Sequence, residues 1–263
     1  MAVSEIFSEF AALWTVFFTV LGLFFGSFLN MLIDRLPEEK SIVKPGSHCE
    51  VCGRPLTIVD LIPVFSYLWL RGRCRSCSVK LPARLPLVEL VTGTLFGLLF
   101  WHFGFSVELA VSLFYGCLFL VITIVDLERG LILNSLTYPA MAVAVVLSLI
   151  ASSSEIVPSI GSAAAGGGLG LGIFLLIVMI SRGGMGFGDV KLAALIGLVV
   201  GIPAVITAVL LAVIVGGSVA VVLLITGKRG RKQSLPFGPY LALAAMVALF
   251  WGEAIFDWYL VLF

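Results

Sequence analysis

Two acidic residues stand where the surrounding chain gives them little reason to be. Asp126 closes one apolar run, and Asp189 opens another within Gly186-Phe187-Gly188-Asp189. An ionisable group in or beside a membrane-spanning run is costly, and function is the usual reason it is kept. Two carboxylates brought together in a low-dielectric site cannot both ionise easily, so they share one proton. The ionised member can then take a proton from water while the neutral one donates to a peptide carbonyl oxygen. Asp189, at the start of its run, would feel the favourable end of a helix dipole. That makes it the more readily ionised member and Asp126 the starting acid, although such a pair titrates as a unit. Gly186 and Gly188 on either side of Phe187 let backbone or substrate approach closely. Plainer uses exist for the same residues. Asp126 can pair with Arg129, Asp189 can cap its helix or pair with Lys191, and two such carboxylates can equally form a proton or ion relay.

A second constellation is made of sulfur. Cys49 and Cys52 form one CxxC, Cys74 and Cys77 another, with 21 residues between the pairs. Two such knuckles can set four thiolates tetrahedrally around one zinc ion, and the gap is one residue beyond the usual range. Four sulfur ligands close the coordination sphere, so this metal is expected to hold structure rather than perform chemistry. Two disulfides and a redox dithiol are the competing uses. A reducing cytosol disfavours the first, and the second needs no second pair.

These residues must be positioned by elements that live in a bilayer. Of 263 residues, 60% are hydrophobic and 12% charged, and the mean hydropathy is +1.17. A soluble domain could not cover so much apolar surface. Eight apolar runs follow in order: 10–33, 85–103, 107–125, 131–151, 160–180, 190–202, 203–225 and 237–259. The sixth is too short for a full span of about 20 residues and reads as a half-helix or a buried one. All 16 Lys and Arg fall after runs one, three, five and seven, the first of these loops holding nine from Arg35 to Arg84. The remaining loops and both tails hold none. Eight spans with both termini outside explain this distribution, and they place Asp126 and Asp189 at one depth near the cytoplasmic face. The N-terminus carries Glu5 and Glu9 and no basic residue, unlike a cleaved signal peptide. The net charge of +1 gives no bulk attraction to nucleic acid.

The predicted fold class is therefore an all-α integral membrane protein of about eight transmembrane helices with a small cytoplasmic four-cysteine insertion after the first. Its expected parts are the first helix at 1–33, a zinc-binding domain at 34–84 and a membrane core at 85–263. The insertion is too small to bury a sizeable core, which is why it needs a staple. Glu89 lies one turn into the second run and can line the site or pair with Arg84. Cys117 reads as a small buried hydrophobe, His48 as a polar loop residue and His102 as interfacial. Glu108 and Glu155 read as solvated, and Glu253 has no partner that the sequence names. Gly166-Gly167-Gly168 with Gly170 and Gly172 reads as a helix-packing face rather than a nucleotide loop.

Several of these motifs, taken together, resemble the bacterial type IV prepilin peptidases, which are also N-methyltransferases. They are Gly26-Ser27-Phe28-Leu29-Asn30 with Arg35-Leu36-Pro37, the knuckles around Asp60-Leu61-Ile62-Pro63 and Arg71-Gly72-Arg73-Cys74, Pro86 to Leu90, Met185 to Lys191, and Pro236-Phe237-Gly238-Pro239. The resemblance runs in order along nearly the whole chain. It implies that Asp126 and Asp189 are catalytic, with Gly186, Gly188, Lys191, Glu89 and Asn134 supporting them. It implies that Cys49, Cys52, Cys74 and Cys77 hold zinc. The implied activity is removal of a short basic leader, after a Gly, from prepilin or pseudopilin precursors at the inner membrane. N-methylation of the new terminus with S-adenosylmethionine follows. The chain departs from the family's Ile-Pro-Asp by reading Ile132-Leu133-Asn134, which leaves the aspartate pair intact and removes a third carboxylate. The competing readings are a membrane transporter or ion relay using Asp126 and Asp189 with a zinc-bound cytoplasmic gate, a structural assembly factor, and another type of GxGD intramembrane protease. The last lacks paired knuckles and sets its aspartates deeper.

Overall fold

A computed structural model describes residues 10–151, 154, 156–181, 185–227 and 236–261. The sequence expectations for Glu5, Glu9, Glu155, Arg182 and the basic run Lys228, Arg229, Arg231 and Lys232 lie outside the described residues. Nine α-helices are present among those described. They are α1 (Ala11–Arg35), α2 (Phe65–Trp69), α3 (Arg84–Phe103), α4 (Val107–Arg129), α5 (Asn134–Ile150), α6 (Ile160–Ser181), α7 (Phe187–Val200), α8 (Ala204–Ile225) and α9 (Gly238–Val261). Apart from the short α2, they coincide one for one with the eight apolar runs. Six of them, α1, α3, α4, α6, α8 and α9, are long and apolar enough to cross a membrane. The 17 residues of α5 and the 14 of α7 span about 26 and about 21 Å at 1.5 Å per residue, less than a hydrocarbon core of about 30 Å. About eight spans were expected, and six helices of spanning length plus two shorter ones are found.

The chain divides into two compact units, 1–117 and 118–263, with α4 running from one to the other. In the first, α1 packs along α3. Asn30 Nδ2 donates to the Leu85 carbonyl at 2.9 Å, and Arg84 pairs with Asp34 at 2.7 Å. These polar contacts tie the two helix ends together just where the four-cysteine insertion leaves α1 and returns to α3.

In the second unit α7 touches α5, α6, α8 and α9. Its residues Val190, Leu192 to Gly197, Val199 and Val200 are buried. A helix that is apolar all round belongs in a core, so the short sixth run is a buried helix and not a surface half-helix. Close approach by α6 makes this possible. The Gly166 and Gly170 backbones lie directly on Gly197 and Ala193, and a Cβ at Gly167 would sit 2.8 Å from Leu198 Cγ. Gly166, Gly167 and Gly170 thus form a helix-packing face, as the run's spacing suggested, since small residues let backbones meet where no water drives apolar surfaces together, while Gly168 and Gly172 face away from α7.

Candidate active site and metal centre

The two CxxC segments fold identically. In the first, the Cys49 N–H donates to Arg54 O at 2.9 Å and the Gly53 N–H to Cys49 O at 2.8 Å. In the second, Cys74 donates to Val79 O at 2.9 Å and Ser78 to Cys74 O at 3.0 Å. Each turn needs a left-handed residue, supplied by Gly53 at φ +69° and by Ser78 at φ +56°. The four Sγ atoms lie within 4.8 Å of one another, and all four are free thiols. Thiolates about 2.3 Å from a tetrahedral ion sit about 3.8 Å apart, which is the Cys49–Cys77 separation of 3.8 Å. The backbone favours thiolates at Cys49 and Cys74, whereas at Cys77 the Val79 N–H is outweighed by burial and the neighbouring cysteines, which push the thiol up to about 11. The N–H groups of Cys77 and then Ser76 pull the Cys74 thiol down to about 6, and those of Cys52 and Val51 lower Cys49. The site therefore fits a metal ion.

Asp60 locks the two knuckles together. Its carboxylate accepts from Arg75 of the second knuckle at 2.8 Å and lies 3.6 Å from Arg54, just after the first. Arg54 in turn donates to Ser76 Oγ at 2.7 Å. The Thr57 hydroxyl, with smaller help from the Thr57 N–H and Arg75, holds the Asp60 carboxyl below the usual carboxylate range. The sequence reading recognised Asp60 only as part of a motif. The signal that it is a clamp was partly available, because an acid lying between two knuckles rich in arginine is well placed to pair with some of them.

The aspartates lie in the second unit at opposite kinds of helix end. Asp126 is in the last turn of α4 and buried. Gly130, at φ +65°, closes that helix by donating to the Asp126 carbonyl at 2.9 Å. Asp189 is the third residue of α7. Its carboxylate lies near the N–H of Gly186, the residue that caps the helix. The two carboxylates are close enough to interact electrostatically. The Gly238 N–H lies beside the Asp126 carboxylate, but Oδ2 makes no hydrogen bond of good geometry among the described residues.

One side chain lies against both aspartate-bearing neighbourhoods. Ile132, in the turn between α4 and α5, abuts Gly188, where a Cβ would sit 3.0 Å from Ile132 Cβ. Ile132 also abuts Gly238 at the start of α9, where a Cβ would sit 3.3 Å from Ile132 Cδ1 and 2.6 Å from Asp126 Oδ2. Gly188 and Gly238 are bare because anything larger would displace Ile132 or the Asp126 carboxylate. The sequence reading placed Gly238 in a motif and did not foresee Ile132, whose apolar type gives no hint of such a position.

The supporting residues distribute unevenly. Lys191 Nζ donates to Asn134 Oδ1 at 2.7 Å and lies 5.7 Å from the centre of the Tyr138 ring. Lys191 thus reaches across to α5 rather than forming the ion pair with Asp189 that the plainer reading offered. Asn134 is the acceptor in this exposed contact. Glu89 belongs to the first unit. It is buried, and its Oε2 accepts from the Val64 N–H at 2.7 Å. The pairing with Arg84 gives way to the Arg84–Asp34 pair, because α1 presents Asp34 beside the Arg84 end of α3.

Apolar helices carrying a carboxylate pair, preceded by a cysteine-knuckle insertion, are the architecture of a membrane-embedded aspartic peptidase. The bacterial peptidase A24 N-terminal domain matches residues 20–103, and the type IV leader peptidase family matches residues 113–221. Among curated proteins, the chain is 33% identical to a prepilin leader peptidase/N-methyltransferase of Bacillus subtilis, covering 92% of this chain and 96% of that one. It is 34% identical to proteins of the same name from Stutzerimonas stutzeri, covering 92% of each, and from Pseudomonas aeruginosa, covering 92% and 91%. No solved structure matches it. The chain belongs to the type IV leader peptidase family, which decides between the peptidase and the transporter readings in favour of the first.

Proposed function

We infer that this chain is a multi-pass inner-membrane endopeptidase that removes the leader from type IV prepilin-like precursors and then methylates the new N-terminus. The observation that carries the reading is that the Asp126 and Asp189 carboxylates lie close enough to interact electrostatically, with Ile132 packed against Gly188 beside the one and Gly238 beside the other. One carboxylate takes a proton from water, whose oxygen bonds to the scissile carbonyl carbon. The other gives its proton to the carbonyl oxygen. Collapse of the tetrahedral species breaks the C–N bond, the proton taken from water passes to the departing amine, and the hydroxyl formed from the carbonyl oxygen returns its proton to the acid as C=O reforms. The N-terminus of α7 favours charge on Asp189, while the C-terminal turn of α4 disfavours it on Asp126. Asp189 is therefore assigned as base and Asp126 as acid.

The basic loops are placed in the cytosol and both termini outside, so a basic leader is held on the side where the aspartates lie. Cys49, Cys52, Cys74 and Cys77 hold zinc as a structural ion. S-adenosylmethionine supplies the methyl group to the new amine. Gly166, Gly167 and Gly170 of α6 are taken up by helix packing, and the methyl donor is assigned no residues. The test is a synthetic prepilin incubated with the purified protein, with and without S-adenosylmethionine, and read by mass spectrometry. Asp126→Asn and Asp189→Asn should each abolish the cut while leaving the metal content unchanged. Substantial cleavage by either variant would overturn the assignment.

A further inference from the structure

The four-cysteine insertion carries an apolar face that its own small core does not use. Helix α2 exposes Phe65, Leu68 and Trp69, the last two by 66% and 73%. Spacings of three and four put these side chains on one side of the helix, and the Phe65 and Trp69 rings stack with centroids 5.8 Å apart. The turn just before, at Ile58–Leu61, exposes Ile58 by 86% and leaves Val59 bare as well. Contiguous exposed apolar surface on so small a domain marks a partner.

The anchoring of α2 says which partner. Val64, the residue before α2, donates its N–H to Glu89 Oε2 at 2.7 Å. Glu89 lies five residues beyond Arg84 in α3, about 7.5 Å further along the helix axis. The Arg84–Asp34 pair marks the rim, because a pair of charged side chains at the ends of two spans sits where water is within reach. The start of α2 is therefore held on the membrane side of that rim, beside the second turn of a spanning helix. Lipid is the solvent at that level. Arg71 and Arg73 follow α2 directly and are exposed, as suits an anionic headgroup layer. Trp at the boundary and basic residues beside it are the composition of an interfacial anchor.

We propose that α2, with the turn at Ile58–Leu61, is an interfacial anchor that seats the four-cysteine domain in the headgroup–acyl boundary of an anionic bilayer. Phe65, Leu68 and Trp69 enter the acyl edge, and Arg71 and Arg73 meet phosphates. The Glu89–Val64 hydrogen bond sets the depth.

The test uses the full-length, metal-loaded protein in nanodiscs of phosphatidylcholine and phosphatidylglycerol. Trp14, Trp101, Trp251 and Trp258 are replaced by Phe, leaving Trp69 as the single indole. Acyl chains brominated near the headgroup should quench about half or more of the Trp69 emission without any substrate present. Equal emission in plain and brominated lipid would overturn the proposal. So would quenching that vanishes when a prepilin peptide is added, which would give this face to the substrate. If the four-Phe protein loses its metal, amide exchange in the unaltered protein decides the matter. Residues 58–69 should exchange at least about tenfold more slowly in anionic nanodiscs than in detergent of short chain length, and equal rates would refute the anchor.

Discussion

Gly238→Ala is the sharpest test of how the aspartate pair is held. A Cβ at position 238 would lie 2.6 Å from Asp126 Oδ2 and 3.1 Å from its Cγ, against an ordinary contact of 3.4 Å or more. The backbone of α9 is packed against α7 and α8, so the shorter and freer partner, the carboxylate, must retreat. Restoring contact needs a shift of about 0.8 Å. A displacement of about 1 Å at a reacting group costs on the order of 100-fold, so kcat should fall by about tenfold to 100-fold, or about 1.4 to 2.7 kcal/mol in barrier. KM should move little, because the substituted atom faces the carboxylate. Loss of fold is separable from this effect by measurement, since Gly238 is the first residue of α9 and thermal unfolding reports any change in stability directly. The assay is steady-state cleavage of a synthetic prepilin by the purified variant, with thermal unfolding measured in parallel. Gly168→Ala, where a Cβ meets nothing within 4 Å, is the control and should cut like the parent. Cleavage by Gly238→Ala within about twofold of the parent would refute the claim that this glycine sets the position of Asp126.

Two further outcomes are expected from the same reasoning. Ile132→Ala, which opens the space between Gly188 and Gly238, should lower kcat by about tenfold with a stability loss of only about 1 to 2 kcal/mol, because Ile132 is half-buried; Ile132→Val should recover most of the rate, and a uniform loss in both variants would point to general loosening instead. Asp60→Asn should weaken the knuckle domain by about 1 kcal/mol and speed metal loss to a chelator, measured by a colorimetric competitor. Because the folded Asp60 carboxyl lies below its ordinary value of 3.8, its contribution is fully present above that value and fades as pH falls towards the lowered one. The difference between parent and variant should accordingly persist at neutral pH and vanish in strong acid.

The knuckle domain and the membrane core depend on different physics. The domain is small, and its order comes from the Asp60 clamp and, on the proposals above, from a sulfur-held metal and the lipid boundary. The core has α7 buried on every side and needs no staple. Its weak point is the site itself, where an unpartnered oxygen on Asp126 is kept in apolar surroundings. An unsatisfied polar atom costs stability, and a chain keeps such a cost where it must act on something else.

Composition and spacing alone fixed the membrane class, eight helices in order, the four-sulfur site and the two aspartates as residues of interest. Each of these is a local property. An apolar run of a given length is a helix in lipid because backbone groups have no other partner there, and two CxxC turns close the same way wherever they stand. The tertiary structure decided which partner each polar group takes. Arg84 has Glu89 within reach by sequence, and helix packing gives it Asp34 from 50 positions away while Glu89 takes Val64. Lys191 has Asp189 two residues away and binds Asn134 from another helix. The junction of Ile132, Gly188 and Gly238 joins residues up to 106 positions apart, and nothing in their types announces it. Interaction strength falls steeply over a few ångströms, while a sequence fixes only distance along the chain. The choice among near-equivalent partners therefore belongs to the packing of whole helices.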